Sequence, residues 1–336
     1  MQQNNQRKKI LIIGGYGFSN IGDEAILSGL LEYLDIALDY NKNLYSITVF
    51  SKNPHETMSI HGVNATNKII YEILQSDIII IGGGQLFSEY KHLFYKNLFL
   101  VIVSKLLNKQ VYLIGIGIDI KKSISRFLSK YIFKLVDKIS VRDRSSLQIL
   151  HNLGIRNVQL IPDLAFYNLK PRYSLLIDNF MAQYGLIPNN FIIVVLRPST
   201  NSHLLSLYVD IIKTLAKDNR IVLVPFSKHT SSYDDNDLNM ILLIKKMCAD
   251  LDLVVFNCEN LHPNEVLYFI SKSKLVVSSR LHPLIFAKVA GVRSMAILPS
   301  VQATKVRTFA EENDIPIIIM DSQGITEETD SSLSVQ

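Results

Sequence analysis

The sequence predicts an α/β fold made of two doubly wound domains. A chain of 336 residues has room for roughly two domains of about 150 residues each. Short β-branched runs alternate with segments of helical length, which is typical of βαβ units and parallel sheets. Apolar runs without polar interruption, such as Ile78–Ile81, indicate strands that are covered on both faces.

Six strands are predicted in each half of the chain. Those of the first half are Ile10–Gly14, Ser46–Phe50, Ile78–Gly82, Val111–Gly115, Lys138–Arg142 and Val158–Ile161. Those of the second half are Phe191–Leu196, Ile221–Val224, Leu253–Phe256, Leu275–Ser278, Ser294–Leu298 and Pro316–Met320. The polar connection from Tyr167–Pro171 onward predicts a first domain of residues 1–170 and a second of residues 171–322, facing each other across a cleft. Residues 323–336 are acidic and rich in Ser and Thr, which predicts a disordered tail.

The composition excludes several classes of protein. Hydrophobic residues make up 48% and charged residues 19% of the chain, which is too apolar for a disordered polymer. Cys248 and Cys258 are too few for a disulfide framework or a four-thiolate zinc site, so both are expected to be buried. The apolar runs are shorter than the ~18 residues of a membrane-spanning helix, and no signal-peptide pattern begins the sequence. A cytoplasmic protein is therefore expected.

The formal net charge of +5 is unevenly distributed along the chain. No Lys or Arg follows Arg307, whereas seven acidic residues do, so residues 1–307 carry 35 basic and 23 acidic side chains. A basic body suits an anionic substrate or an anionic membrane surface. Nucleic acid is not expected as a partner, because no basic run with interleaved aromatic residues and no DNA-binding motif is present.

Glycine-rich segments accompany two predicted strands of the first half. The segment Gly14–Ala25 contains Asn20, Asp23 and Glu24 and matches neither a dinucleotide fingerprint nor a phosphate loop. Its carboxylates could accept hydrogen bonds from sugar hydroxyls, or the segment could be a tight turn with a helix cap. Gly82–Gly84 marks a place where either a ligand or a packed helix approaches the backbone closely.

Arginines follow strands in both halves. Arg142 follows the fifth predicted strand, and its guanidinium suits forked contacts with a carboxylate or a phosphate. The neighbouring acids Asp143 and Asp163 could instead cap helices. Arg280 and His282 follow the strand Leu275–Ser278. Being two residues apart on an extended segment, they are expected to point the same way, beside a helix that begins near Pro283.

Two further patterns have more than one interpretation. Basic residues recur every four positions between apolar ones, which predicts an amphipathic helix with a basic stripe formed by Lys122, Arg126, Lys130 and Lys134. The stripe is either a solvated outer face or a surface that docks on anionic lipid headgroups.

The group His229, Asp234, Asp235 and Asp237 has no standard metal-ligand spacing, so no metal site is predicted.

The motifs together resemble the polysaccharide pyruvyl transferase family over roughly residues 8–310. The resemblance is carried by Gly17 with Asn20-Ile21-Gly22-Asp23-Glu24-Ala25, by Gly82-Gly83-Gly84, by Val141-Arg142-Asp143, by Pro162-Asp163 and by Ser279-Arg280-Leu281-His282. It implies two Rossmann-like domains of the GT-B type. It also implies transfer of a pyruvyl group from phosphoenolpyruvate to a sugar, with formation of a cyclic ketal and release of phosphate.

The resemblance also implies roles for individual residues. The phosphoenolpyruvate-binding residues would be Arg142, Arg280, His282 and Lys305. The acceptor side would be formed by Asn20, Asp23, Glu24, Gly83 and Gly84. The catalytic residues would be His282 as general acid, Arg280 and, as a possible base, Asp23. Phosphoenolpyruvate is then a co-substrate, and the mechanism needs no cofactor and no metal.

Two other functions remain open from the sequence. The first is a glycosyltransferase of the same architecture that uses a nucleotide sugar. The second is a non-catalytic protein that binds glycan within a biosynthetic complex. The acceptor is either a lipid-linked sugar or a finished polysaccharide, and a lipid-linked acceptor would bring the protein to the inner face of the cell membrane.

Overall fold

A computed structural model of the chain describes residues 7–37, 44–89, 93–229, 236–298, 304–321 and 324–328. The chain divides into two units. Unit 1 comprises Met1–Phe18 and Asp23–Asn168, and unit 2 comprises Ser19–Gly22 and Leu169–Gln336. None of the helices in the described ranges combines the length and the apolar run that a bilayer crossing requires.

Unit 1 is built on a parallel sheet. Its strands within the described residues are β1 (Lys8–Ile13), β2 (Tyr45–Phe50), β3 (Asn64–Thr66), β4 (Ile78–Ser88), β5 (Gln110–Asp119), β6 (Lys138–Val141) and β7 (Gln159–Leu160). Their spatial order is β3-β2-β1-β4-β5-β6-β7. The helices between them are α1 (Ile21–Ala37), α2 (Pro54–His61), α3 (Ile69–Gln75), α4 (Leu93–Leu106), α5 (Ser123–Ile132) and α6 (Arg144–Asn152). All four residues of Ile78–Ile81 are buried, as expected for a strand covered on both faces.

Unit 2 repeats this plan. Its strands within the described residues are β8 (Phe191–Val195), β9 (Arg220–Leu223), β10 (Leu253–Val255), β11 (Leu275–Ser278), β12 (Ser294–Leu298), β13 (Ile317–Asp321) and β14 (Gly324–Glu328), in the order β10-β9-β8-β11-β12-β13-β14. Its helices are α7 (Leu175–Gln183), α8 (Ser202–Leu215), α9 (Asp237–Met247), α10 (Pro263–Ile270), α11 (Leu281–Ala290) and α12 (Thr304–Glu312). The edge strand β14 is antiparallel to β13.

Each sheet has a topological switch point. In unit 1 the chain builds outward from β1 to β3 on one side and then from β4 to β7 on the other. In unit 2 the same change of direction occurs between β8 and β11. Ligands of doubly wound sheets bind outside the carboxyl ends of the strands at this point, so the loops after β1, β8 and β11 are where chemistry is expected.

The predicted α/β class and all twelve predicted strands are confirmed, but the ends of two strands were predicted wrongly. The fourth predicted strand continues four residues further than expected, to Asp119, as β5. The strand expected to stop at Gly82 continues to Ser88 as β4. Gly83 and Gly84 have φ of +74° and +79°, which glycine adopts without steric penalty. The pairing with β5 shifts register just after Gly84, so the strand passes through an irregularity instead of ending there.

The prediction of disorder from residue 323 was wrong for Gly324–Glu328. These residues form β14, which pairs with β13 from Ile317↔Glu328 to Asp321↔Gly324. The edge of β13 presents unpaired backbone groups that a following strand can satisfy, and acidic composition alone does not reveal this. Residues 329–336 lie outside the described residues.

Candidate functional site

Loops from neighbouring strands are tied together at the switch point of unit 2. The backbone N–H of Arg197, after β8, donates to Ser279 Oγ, after β11, at 2.7 Å. The backbone N–H groups of Phe226 and Ser227, after β9, each donate to Oδ2 of Asp237 at 3.0 Å. The loops after β8 and β11 are therefore joined to each other, and the loop after β9 is joined to the start of α9.

Asp237, the first residue of α9, is the centre of this network. Its side chain is 0% exposed, and its Oδ1 accepts hydrogen bonds from Nε and Nη2 of Arg280 at 2.8 and 2.5 Å. Burial raises the pKa of Asp237, and the contacts with Arg280 and the two backbone N–H groups oppose that rise. A buried carboxylate needs such partners to remain charged, so Asp237 and Arg280 fix each other in place. The sequence predicts no such role for Asp237.

Arg280 lies two residues after the end of β11 and is the N-cap residue of α11, which begins at Leu281. His282 is therefore helical, and the expectation that one extended segment holds both residues was wrong. The backbone of Arg280 is held by Ser278, whose Oγ accepts from the Arg280 N–H and donates to the Arg280 carbonyl, both at 2.9 Å. The guanidinium is 15% exposed. Asp237 takes two of the five N–H groups of a guanidinium, and the others can bind an anion at this edge of the sheet.

His282 lies in the first turn of α11, is half-buried, and packs against Gly22. A Cβ atom on Gly22 would lie 2.1 Å from Nδ1 and 2.5 Å from Cγ of the imidazole. Both distances are far below van der Waals contact, so only glycine at position 22 leaves the space that the imidazole fills. This explains why a glycine is needed in the Asn20–Ala25 motif.

The segment Ser19–Gly22 is attached to unit 2 by hydrogen bonds. The N–H of Ile21 donates to the carbonyl of Phe226 at 2.9 Å. Asn20 Oδ1 accepts from the N–H of Gly22 at 3.0 Å, the type of contact that caps a helix start. Asn20 therefore holds the turn that brings Gly22 to the imidazole, and its predicted contact with an acceptor stays a prediction.

Other predicted residues gather at the switch point of unit 1. A Cβ on Gly15 would lie 3.3 Å from Oδ2 of Asp23, and a Cβ on Gly84 would lie 3.8 Å from its Oδ1. The half-buried Asp23 carboxylate therefore lies close to the backbone at both glycines. Gly83 has a different reason to be glycine, because its Cβ would lie 1.9 Å from Cγ2 of Ile26 in α1. That contact supports the helix-packing interpretation for Gly83.

Glu24 is buried, and its carboxylate oxygens are both engaged within unit 1. Oε1 accepts from the Gly17 N–H at 2.8 Å, and Oε2 lies 2.8 Å from Nε2 of His61. These contacts tie the loop after β1 to α2. A contact of Glu24 with an acceptor stays a prediction.

Arg142 is paired with acids of unit 1. Its Nη1 donates to Oδ2 of Asp163 at 2.7 Å, and its Nε is 4.0 Å from Oδ2 of Asp143. Asp143 also accepts from the N–H of Ser146 at 2.7 Å, and Asp163 from the N–H of Ala165 at 3.0 Å. The helix-cap interpretation of both acids is thus confirmed, and the two carboxylates partly neutralise the guanidinium.

The remaining candidates are less informative. Lys305 is exposed in the first turn of α12, and residues 299–303 before it lie outside the described ranges. Asp234 and Asp235 lie outside them as well, and the described residues contain no group of three His, Cys, Asp or Glu side chains that could hold a metal ion.

Both cysteines are buried, as predicted. Burial raises the pKa of the Cys258 thiol to about 12, which disfavours its use as a nucleophile.

The fold is shared with solved structures of sugar-processing proteins. The chain is 15% identical to S. aureus MnaA in a co-structure with UDP, with a TM-score of 0.62 and coverage of 94% of this chain and 85% of that one. It is 14% identical to the UDP-GlcNAc 2-epimerase of Methanocaldococcus jannaschii, with a TM-score of 0.59 and coverage of 93% and 88%. A glycosyltransferase from Rickettsia africae gives 13% identity, a TM-score of 0.53 and coverage of 87% and 79%. Identities this low show the fold alone, which is the predicted GT-B type.

The family is shown by the sequence itself. Among curated proteins, no sequence matches this chain significantly. The model of the polysaccharide pyruvyl transferase family, however, matches residues 20–300, a range that contains Asn20, Asp23, Asp237, Arg280 and His282. Since this match spans well over half of the chain, the protein belongs to the polysaccharide pyruvyl transferase family.

Proposed function

We propose that the protein transfers the pyruvyl group of phosphoenolpyruvate to a sugar of a polysaccharide or of its lipid-linked precursor. The product would be a cyclic pyruvate ketal, and phosphate would be released. The observation that carries the proposal is the arrangement at the carboxyl end of β11, where Arg280 is fixed by buried Asp237 two residues before His282. A fixed cation two residues before a histidine suits an anionic substrate that must be protonated.

The charge of phosphoenolpyruvate matches this edge of the sheet. At neutral pH the molecule carries about three negative charges, from one carboxylate and one phosphate. Arg280 supplies a guanidinium, and the N-terminus of α11 supplies backbone N–H groups that favour anions. Arg197, which is exposed two residues after the end of β8, adds a second guanidinium on the other side of the switch point. Arg142 and Lys305 stay predicted ligands of the same substrate.

The chemistry assigns a role to each group. His282 donates a proton to the methylene carbon of phosphoenolpyruvate, which becomes a methyl group while the central carbon becomes electrophilic. One sugar hydroxyl adds to that carbon, the carbon–oxygen bond to phosphate breaks, and a second hydroxyl closes the ketal. Of the two hydroxyl protons, one restores the imidazolium and the other leaves with phosphate. Arg280 stabilises the negative charge on the departing phosphate, and Asp23 stays the predicted carboxylate on the acceptor side.

The reaction is tested directly with the full chain, phosphoenolpyruvate and a panel of lipid-linked sugars. We expect phosphate release that depends on one of the acceptors, together with an acceptor mass increased by one pyruvic acid minus water. The matched control replaces phosphoenolpyruvate with UDP-sugars. Glycosyl transfer from a UDP-sugar, with no response to phosphoenolpyruvate, would contradict the proposal and support a glycosyltransferase.

Gly22→Ala is expected to lower kcat for this transfer by about 10²-fold, the size of effect produced by a misplaced catalytic group. The added methyl group would overlap the imidazole of His282 and force the ring out of position. The measurement is steady-state phosphate release by Gly22→Ala, His282→Ala and the double variant. If Gly22 acts through His282, the double variant is no slower than His282→Ala alone, whereas additive losses would show that Gly22 acts in another way.

A further inference from the structure

Helix α5 exposes its large apolar side chains. Ile124 is 57%, Phe127 57% and Tyr131 54% exposed, whereas Ser125 and Ser129 on the same helix are buried. A surface helix of a globular domain normally turns its apolar face towards the core. Here two serines face the core together with Ile132, and the three exposed large apolar residues, spaced three and four apart on one face, point outward.

The neighbouring helix α4 extends this exposed surface. The hydroxyl of Tyr95 in α4 lies 3.2 Å from Ser125 Oγ in α5, so the two helices are in contact. Tyr95 and Phe99, one turn apart, are both about half exposed. The rings of Phe127 and Tyr131 pack edge to face with their centroids 4.9 Å apart. The α4–α5 surface is defined by its exposed apolar residues, Tyr95, Phe99, Ile124, Phe127 and Tyr131.

All charged residues on these two helices are basic. Neither α4 nor α5 contains an Asp or Glu. The predicted basic stripe is exposed along α5 and its two ends, where it consists of Lys122, Arg126, Lys130 and Lys134. The basic residues of the stripe are spaced four positions apart and lie beside the apolar face of α5. An outward apolar face flanked by positive charges alone fits a partner surface that is both amphipathic and negatively charged.

We propose that the α4–α5 surface docks on the headgroup layer of a bilayer that contains anionic phospholipid. Phe99, Ile124 and Phe127 would enter the layer between headgroups, while the lysines and the arginine contact lipid phosphates. Tyrosines such as Tyr95 and Tyr131 are typical of this interface, because the ring is apolar and the hydroxyl is polar. A second copy of the chain fits less well, since a two-fold contact would place the basic stripe against itself.

The absence of tryptophan from the sequence allows a clean test of insertion. Phe127→Trp introduces a single fluorescent reporter on the α4–α5 surface, and Leu176→Trp introduces the matched reporter at an exposed leucine of unit 2. With vesicles of phosphatidylcholine and phosphatidylglycerol, we expect a blue shift for Phe127→Trp and none for Leu176→Trp. No shift for Phe127→Trp, or equal shifts for both variants, would overturn the proposal.

Sedimentation with the same vesicles tests the charge requirement. The wild-type chain should sediment with phosphatidylglycerol vesicles and not with pure phosphatidylcholine vesicles, and added salt should release it. The double variant Arg126→Glu with Lys130→Glu should bind at least about tenfold more weakly. Lys245→Glu with Lys246→Glu, on exposed residues of α9, changes the net charge equally and should bind as the wild type does. Equal loss of binding in both double variants would contradict the proposal, because only the overall charge would then matter. If light scattering shows that the chain dimerises through Phe127, the occupant of the surface is a second copy of the chain and the proposal is wrong.

Discussion

His282→Ala is expected to lower kcat for acceptor-dependent phosphate release by about 10²–10⁴-fold, the range for loss of a general acid. The imidazole lies in the first turn of α11, four residues after the end of β11, in the space that Gly22 leaves open. An alanine there cannot donate a proton to the methylene carbon, while the backbone of the turn is unchanged. Steady-state phosphate release with phosphoenolpyruvate and the responsive acceptor is the measurement.

The pH dependence separates proton donation from simple packing. The wild-type kcat should fall as pH rises, because a general acid must be protonated, and this fall should be absent from the residual activity of His282→Ala. His151→Ala, at an exposed histidine of α6, serves as the control and should retain full activity. Near-wild-type turnover in His282→Ala would remove the imidazole from the mechanism.

Arg280→Ala is expected to lower kcat/KM for phosphoenolpyruvate by about 10²–10³-fold, as is typical when a preorganised charge contact is lost. The variant also leaves the buried Asp237 carboxylate without its ion-pair partner, and that costs about 3–5 kcal/mol of stability. Thermal unfolding must therefore be measured beside the kinetics. Arg293→Ala, at an exposed arginine that precedes β12 at the opposite edge of the sheet, is the control.

Two conservative variants separate the substrate contact from the structural one. Arg280→Lys keeps the charge but cannot donate from two nitrogens to Asp237 as the guanidinium does, so an intermediate loss is expected. Asp237→Asn keeps Arg280 in the sequence but removes the carboxylate that orients its guanidinium. Asp237 therefore acts as a positioning residue. We expect Asp237→Asn to raise KM for phosphoenolpyruvate with little change in KM for the sugar. Equal effects on both KM values would indicate a general loss of structure instead.

The sequence predicted the parts of the site that are carried by local motifs. Arg280 and His282 were found because a buried strand, an Arg-x-His pair and a proline follow one another within a few residues. Asp237 was missed as the partner of Arg280, because it lies 43 residues earlier in the chain and only the pairing of β9 and β11 on either side of β8 brings the two together. The requirement for glycine at position 22 was missed for the same reason, since His282 is distant in sequence.

The fold was predicted because apolar periodicity is a local property, and errors occurred where neighbours decided the outcome. The strand β4 continues beyond Gly82 because β5 pairs with it on both sides of the irregularity at Gly84. The strand β14 forms because β13 offers a free edge. The orientation of α5 was also not predictable from its basic stripe, since only the packed helix shows that Phe127 and Tyr131 face outward.

Calorimetric titration of the full chain with phosphoenolpyruvate tests the central claim most directly, because it needs no knowledge of the acceptor. We expect saturable binding by the wild-type protein, weaker by at least about 10²-fold in Arg280→Ala, with no competition from UDP. Binding of UDP without binding of phosphoenolpyruvate, or equal affinity for phosphoenolpyruvate in both proteins, would contradict the assignment of this site.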